Sequence, residues 1–248
     1  MDGSGRIQKV FSALRYIIPA VSSYLACWVE IVVKTGETAA VVSAKDVAMK
    51  VKIDYSRGIR DQTTRNVEAL CGLCWKFGQP TFDLEAFMKE TAELISKNFG
   101  IESVTVGIRD PADHLYRYQV VVGLDNEVAE GFKKLTYTRE QLLEPSTYPS
   151  YEVSSHTRLF LAEDHPYADG EEFTYRRPGL IGMKRRTLTD SLEADYLDFF
   201  FYDSNGEILG FVETSGTRAR KLPDAATIRW IELYVAILGE ALQRKRGG

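Results

Sequence analysis

The chain reads as an α+β protein in which an all-helical N-terminal domain precedes an antiparallel sheet flanked by helices. Three observations predict this. Apolar residues recur at helical spacing up to about residue 77, whereas alternating strand formers dominate "SVTVGI", "LYRYQVVVG" and "ADYLDFFFYDSNGEILGFVETSG" further on. Asn205-Gly206, inside the last of these, is the strongest short hairpin signal a sequence offers. Gly78 and then Pro80 separate the two rhythms, which sets domains of 1–79 and 80–248.

In the first domain Val10, Phe11, Leu14, Ile17, Ile18, Val21, Leu25, Trp28, Val29 and Val32 follow an i, i+3, i+4, i+7 spacing. That predicts one long amphipathic helix or two in series over 7–32, with Pro19 permitting a kink and Gly36 suiting a left-handed cap. Ser43 with Asp46 is a fair N-cap pair for a next helix, residues 54–58 read as a turn, and a further helix is expected over 59–77.

In the second domain "FDLEAFMKETAELISKNFG" is a capped helix with Leu84, Phe87, Met88, Thr91, Leu94 and Ile95 on one face. Val104, Val106 and Ile108 alternate inward, and "RDPADH" suits a hairpin to the next strand. Residues 125–186 are polar and mixed, with short helices expected near 127–134 and 139–144 and a strand near 157–162; a ligand cover would lie here. A last helix repeats Ile228, Ile231, Val235, Leu238 and Leu242, a heptad-like stripe that packs on a sheet or against a twin helix.

Composition excludes several classes. With 44% apolar and 27% charged residues the chain can build a core without disulfide or metal staples, so collagen-like, disordered and disulfide-scaffold readings fall. Its net charge of −4 is unevenly spread: residues 1–80 carry 11 Lys/Arg against 7 Asp/Glu, whereas the remainder is acidic. A basic N-terminal part hints at a nucleic-acid partner. Three cysteines with no convincing signal sequence predict a reducing, cytoplasmic setting. The apolar stretch 16–33 is barely long enough to span a bilayer and is diluted by Pro19, Ser22, Ser23 and Glu30, so no membrane partner is expected.

The order helix, strand, strand, helical insert, strand, strand, Asn-Gly, strand, helix over residues 81–245 resembles a GAF domain. The resemblance rests on "DLEAFMKETAELISKNFGIESVTVGIRDPADHLYRYQVVVG", "DYLDFFFYDSNGEILGFVETSG" and "PDAATIRWIELYVAILGEAL". It implies an antiparallel sheet with helices on one face and a small-molecule pocket on the other, under the insert. Bilin attachment and methionine sulfoxide reduction, known in that family, need cysteines that are absent after Cys74, and the family's cyclic-nucleotide motif is not visible. Aromatics on or near the expected sheet, Tyr118, Phe160, Tyr175, Phe199 and Phe201, are the pocket candidates.

Residues about 43–77 resemble a helix-turn-helix unit, through "SAKDVAMKVKI" with the small Ala48, "DYSRG" and "IRDQTTR". The resemblance implies contacts to double-stranded DNA from Arg57, Arg60, Gln62, Thr63 and Arg65, with Lys52 and Ser56 on phosphates. Two departures stand against it: Lys52 occupies the usual glycine position, and Gly58 lengthens the connection.

Other chemistries are thinly represented. Glu163, Asp164 and His165, with Asp169, Glu171 and Glu172 behind them, read as solvated loop charge rather than a cation site, and His156 and His165 as exposed rather than haem ligands. There is no G-x-S-x-G, phosphate-binding glycine loop or H-E-x-x-H, so no enzyme and no metal are expected and no cofactor is indicated. Cys71 and Cys74 form a lone C-x-x-C; sharing a helix face with Val67, Leu70 and Phe77, they read as core packing, with a thiol switch as the alternative.

The sequence therefore predicts a homodimeric, signal-responsive regulator that couples a small-molecule sensor to a DNA-binding unit. Its alternative is a signalling and dimerisation module whose N-terminal helices are a connector without DNA contact.

Overall fold

The computed structural model describes residues 43–58, 61–146, 148–164 and 174–247, with only the backbone of 56–58. The expected helix over 7–32, the apolar stretch 16–33, Cys27, Arg60, His165, Asp169, Glu171 and Glu172 lie outside these residues. No helix among the described residues is long and apolar enough to cross a membrane.

The chain divides into two compact units, Met1–Asp54 and Tyr55–Gly248. Helix α1 (Ala44–Gly58) starts as expected at Ser43, whose Oγ bonds Asp46 Oδ2 at 2.6 Å. The turn expected at 54–58 is instead its last turn. Lys50 and Asp54 pair at 2.5 Å one helical turn apart, just where the predicted turn would begin. Ala48, cast as the small residue between two helices, is exposed, as are Val47, Met49 and Val51.

Helix α2 (Gln62–Phe77) is opened by Asp61, whose carboxylate accepts from Thr64 N at 2.7 Å and Thr64 Oγ1 at 2.9 Å. Its buried stripe is Asn66, Leu70 and Leu73, which joins it to the core of the sheet-bearing unit. The unit therefore begins ahead of α2, whereas the composition break lies at Pro80. Cys71 and Cys74 are both exposed, one step around the helix from that stripe, and Val67 is 47% exposed beside them. The core-packing reading of the two thiols is thus corrected: Leu70 and Leu73 fill the contact, and partial burial raises the Cys74 thiol, with Cys71 adding to it.

Helix α3 (Leu84–Phe99) is capped by Asp83 and closed by Gly100, whose φ of 66° turns the chain directly into β1 (Ile101–Arg109). Strand β2 (Tyr116–Val122) follows, then the insert with α4 (Asn126–Phe132), β3 (Thr136–Tyr137), α5 (Arg139–Leu143), β4 (Tyr151–Glu152) and β5 (Thr157–Phe160). A single turn of 3-10 helix, Pro178–Leu180, precedes β6 (Tyr196–Tyr202) and β7 (Ile208–Thr217). These last two flank Asn205-Gly206, with Gly206 at φ 81°. Helix α6 (Ala225–Gly247) ends the unit.

The seven strands form one antiparallel sheet in the order β3-β2-β1-β7-β6-β5-β4. Helices α3 and α6 cover one face through Phe87, Ile95, Ile231, Val235, Leu238 and Leu242, packed on Val104, Val106, Leu197, Phe199, Phe201 and Val212, and α2 packs on α3 and α6 through Leu70 and Leu73. The stripe of α6 thus meets its own sheet. The insert covers part of the other face.

Candidate ligand-binding site

Strand side chains alternate between faces, so the residues between those core positions line the side away from the helices. On β1, β7 and β6 these include Ser103, Phe211, Glu213, Ser215, Tyr196 and Asp198. Strand β2 needs a correction to join them. In strict alternation Tyr118 and Val120 share a face, but the register shifts between Val106 and Gly107, which pair with Val120 and Tyr118 respectively. This bulge sends Val120 to the helix side and Tyr118 to the opposite side. Gly107 matters here because a Cβ on it would sit 2.5 Å from the Phe211 ring, which lies over the strand.

The resulting cleft is roofed by Phe132, Leu135, Tyr137, Leu142, Tyr148, Thr174, Tyr175 and Arg176 from the insert. Its walls are interlocked aromatics. The Tyr118 ring meets Phe132 at 5.0 Å and Phe211 at 5.5 Å, both edge to face, and Phe160 stacks on Tyr196 at 4.3 Å. The cavity volume is about 60 Å³. At roughly 10–15 Å³ per water, that is space for some four to six water-sized groups.

Its floor is a row of polar side chains running across the strands. Thr105 pairs with Glu213, Glu213 with Asp198, and Asp198 with Arg158. Tyr118 Oη donates to Glu213 Oε2 at 2.8 Å. Asp198 is 5% exposed, and its Oδ1 is buried without a hydrogen-bond partner among the described residues, as is Thr105 Oγ1. Burial pushes the Asp198 carboxyl well above the ordinary carboxylate range; the neighbouring Glu213 raises it further and Arg158 opposes. Burial likewise holds the Tyr118 phenol well above its usual value, with Glu213 beside it adding to the effect.

The cations at the rim are already engaged. Arg176 and Arg177 meet Glu102 Oε2 at 2.9 and 2.8 Å, and Arg177 also reaches Glu193 Oε2 at 3.1 Å. Nearby, Arg185 bridges the buried Asp195 at 2.8 Å and Glu163 at 2.8 Å, while Asp195 accepts from the backbone of Ala162 and Leu192. Glu163 and Asp164, grouped in sequence as a charged cluster, thus have separate partners, Asp164 accepting from Tyr151. No group of His, Cys, Asp and Glu suited to a metal occurs among the described residues.

A roomier groove, about 540 Å³, runs between α6 and β6 beside His156. Its acceptors are served: Glu232 takes Ser154 Oγ at 2.5 Å and Thr157 Oγ1 at 2.7 Å, and Gln243 donates to the Tyr202 carbonyl. The smaller cleft, with its orphaned acceptor, is the better candidate for a ligand.

Of the aromatics singled out from the sequence, Tyr118, Phe160 and Tyr175 line this cleft. Phe199 and Phe201 do not line this cleft: the strand's alternation assigns Asp198 to it, and the two phenylalanines lie on the helix side, in the core and along the groove between α6 and β6, Phe201 beside Gly239 of α6. Asp198 and Glu213 escaped notice. A signal existed, since they stand seven residues before Asn205 and seven after Gly206, opposite each other in the predicted hairpin.

The described residues proposed for DNA fall on two helices. Lys52, Ser56 and Arg57 belong to α1, whereas Gln62, Thr63 and Arg65 form the first turn of α2. The Gln62 amide donates to the Asn98 carbonyl at 2.8 Å and to Asn66 at 3.1 Å, and its oxygen accepts from Arg65 at 3.0 Å.

No protein-family model matches the chain, and no curated protein matches its sequence. Among solved structures it is similar to a GAF domain/HD domain protein of Geobacter sulfurreducens, at 13% identity and a TM-score of 0.49 over 72% of this chain and 99% of that one. It is also similar to the GAF domain of an Acinetobacter phosphoenolpyruvate-protein phosphotransferase, with 11% identity, TM-score 0.48 and coverage of 73% and 94%. The corresponding domain from Coxiella burnetii gives 15% identity and a TM-score of 0.47 over 73% and 96%.

Proposed function

We propose that the chain is a cytoplasmic, non-enzymatic signalling module. In this reading residues 80–248 are a GAF-like sensor for a small molecule, and the N-terminal helices are a dimerising connector. One observation carries it: a cleft lined in large part by aromatics has two carboxyl side chains, Asp198 and Glu213, on its floor, and Asp198 Oδ1 is buried without a partner among the described residues. An orphaned acceptor of this kind costs stability, so its retention points to a use in binding.

Strand β6 supplies a route for the signal. Asp198 faces the cleft, and the alternate residues Phe199 and Phe201 seat the helix layer that contains α6. A ligand that favours one placement of β6 therefore favours one placement of α6.

DNA contact is left out of the proposal. The predicted turn is helical, Gln62 is engaged within its own unit, and the Asp61 carboxylate occupies the start of α2, where a phosphate would be repelled.

The sensor reading is tested by thermal-shift screening of the full chain against a library of small polar metabolites, alongside a Ser103→Trp variant that fills the cleft. Hits stabilising the native chain but not the filled variant are expected. The reading fails if every hit stabilises both equally.

A further inference from the structure

The chemistry of the cleft narrows what it can take, given the reading of the cleft as a ligand site. Two carboxyl side chains from adjacent strands, Asp198 and Glu213, share its floor, and eight aromatic residues line its walls together with Leu124, Leu135 and Leu142. The guanidinium at the rim, Arg176, is turned to Glu102. An anion would meet two carboxylates, and a neutral aliphatic molecule would leave Asp198 Oδ1 without a donor. A cation matches both features, because carboxylates compensate its charge and aromatic faces attract it. The orphaned oxygen adds a restriction: the cation must carry N–H groups, which excludes quaternary ammonium. Cavity volume restricts size to about four to six non-hydrogen atoms.

We propose that the cleft binds a small organic cation with N–H donors, a primary ammonium or an amidinium, its nitrogen held by Asp198 and Glu213 and its carbons among Tyr118, Phe132, Phe160 and Phe211. Titration follows from the same contacts. The groups around Asp198 are Glu213 on β7, Tyr118 on β2, Arg158 on β5 and, at the rim, Glu193 and Arg176. Burial and Glu213 both favour the protonated form of the Asp198 carboxyl, so an entering ammonium competes there with a proton. Affinity for the cation therefore rises with pH until that carboxyl is ionised.

The test is isothermal titration of the full chain with three probes of similar bulk: n-propylammonium, tetramethylammonium and neutral propionamide. For ligands this small the accessible range is Kd of about tens of micromolar to a few millimolar. Propylammonium is expected to bind one per chain, at least tenfold more tightly than either other probe and more tightly at pH 8 than at pH 6. Asp198→Asn should lose at least tenfold, with its fold checked by circular dichroism. Equal or tighter binding of propionamide overturns the proposal on the native chain alone, whatever the variant does. Silence of all three probes, while the metabolite screen yields cleft-dependent hits, overturns the cation and leaves the sensor. Silence in both experiments removes the sensor reading itself.

Discussion

The two faces of the sheet are built to different standards. On the helix side Phe87, Ile95, Val106, Phe199, Val212 and Leu238 close against one another, and aliphatic and aromatic groups do nearly all the packing. On the far side the same strands present Tyr118, Asp198, Phe211 and Glu213, with a cavity between them and an acceptor lacking its donor. Among the described residues, buried polar atoms without a partner occur on both faces, Asn66 Nδ2 and Thr214 Oγ1 on the helix side and Thr105 Oγ1 and Asp198 Oδ1 on the far side, but only the far side combines a carboxyl of this kind with an aromatic-lined cavity. Burial without compensation is expected where a protein keeps a group for binding.

The comparison can be broken most forcefully on the helix side. Phe199→Ala removes a fully buried ring from between sheet and helices, and a loss of about 3–5 kcal/mol is expected by urea unfolding. A loss below about 1 kcal/mol would show that this face is not the closed core. The insert carries its own anchor: Arg185→Met strands the buried Asp195 carboxylate, with an expected cost of about 3 kcal/mol. The second mutation Asp195→Asn should recover part of that cost, because it removes the uncompensated charge. On the cleft side Phe132→Ala enlarges a space that already exists, so the loss should stay at about 3 kcal/mol, the low end for a buried aromatic.

Much of this architecture was legible because period and turn chemistry agree. Val104, Val106 and Ile108 alternate, Asp83 and Gly100 bracket α3, and Asn205-Gly206 closes the last hairpin. The short helices expected near 127–134 and 139–144 stand at Asn126–Phe132 and Arg139–Leu143. Other features left no such trace. The two-residue strands β3 and β4 are too short to show a period. The bulge in β2 breaks the parity that would carry Tyr118 and Val120 to one face. In "YLDFFFY" nearly every residue is apolar, so nothing local says which phenylalanines face the helices. Helix α2 misled through phase: Leu70 and Phe77 belong to the packed stripe, whereas Val67, Cys71 and Cys74 lie one step around the helix. Asp198 and Glu213 resembled ordinary surface charge on exposed strand faces, and only their hairpin register makes them a pair.

The gentlest perturbation falls on the cleft floor itself. Because the Asp198 carboxyl holds its proton more firmly folded than unfolded, its contribution is full below the ordinary carboxylate range and is lost as pH climbs through the folded-state titration. Asp198→Asn keeps the shape and abolishes that titration. Urea unfolding of both proteins from pH 4 to pH 9 should show the variant more stable at neutral pH, by about 0.5–2 kcal/mol, with a flatter decline as pH rises. A variant less stable than the native chain across that range would make Asp198 a structural anchor, and the contrast between the two faces would not stand.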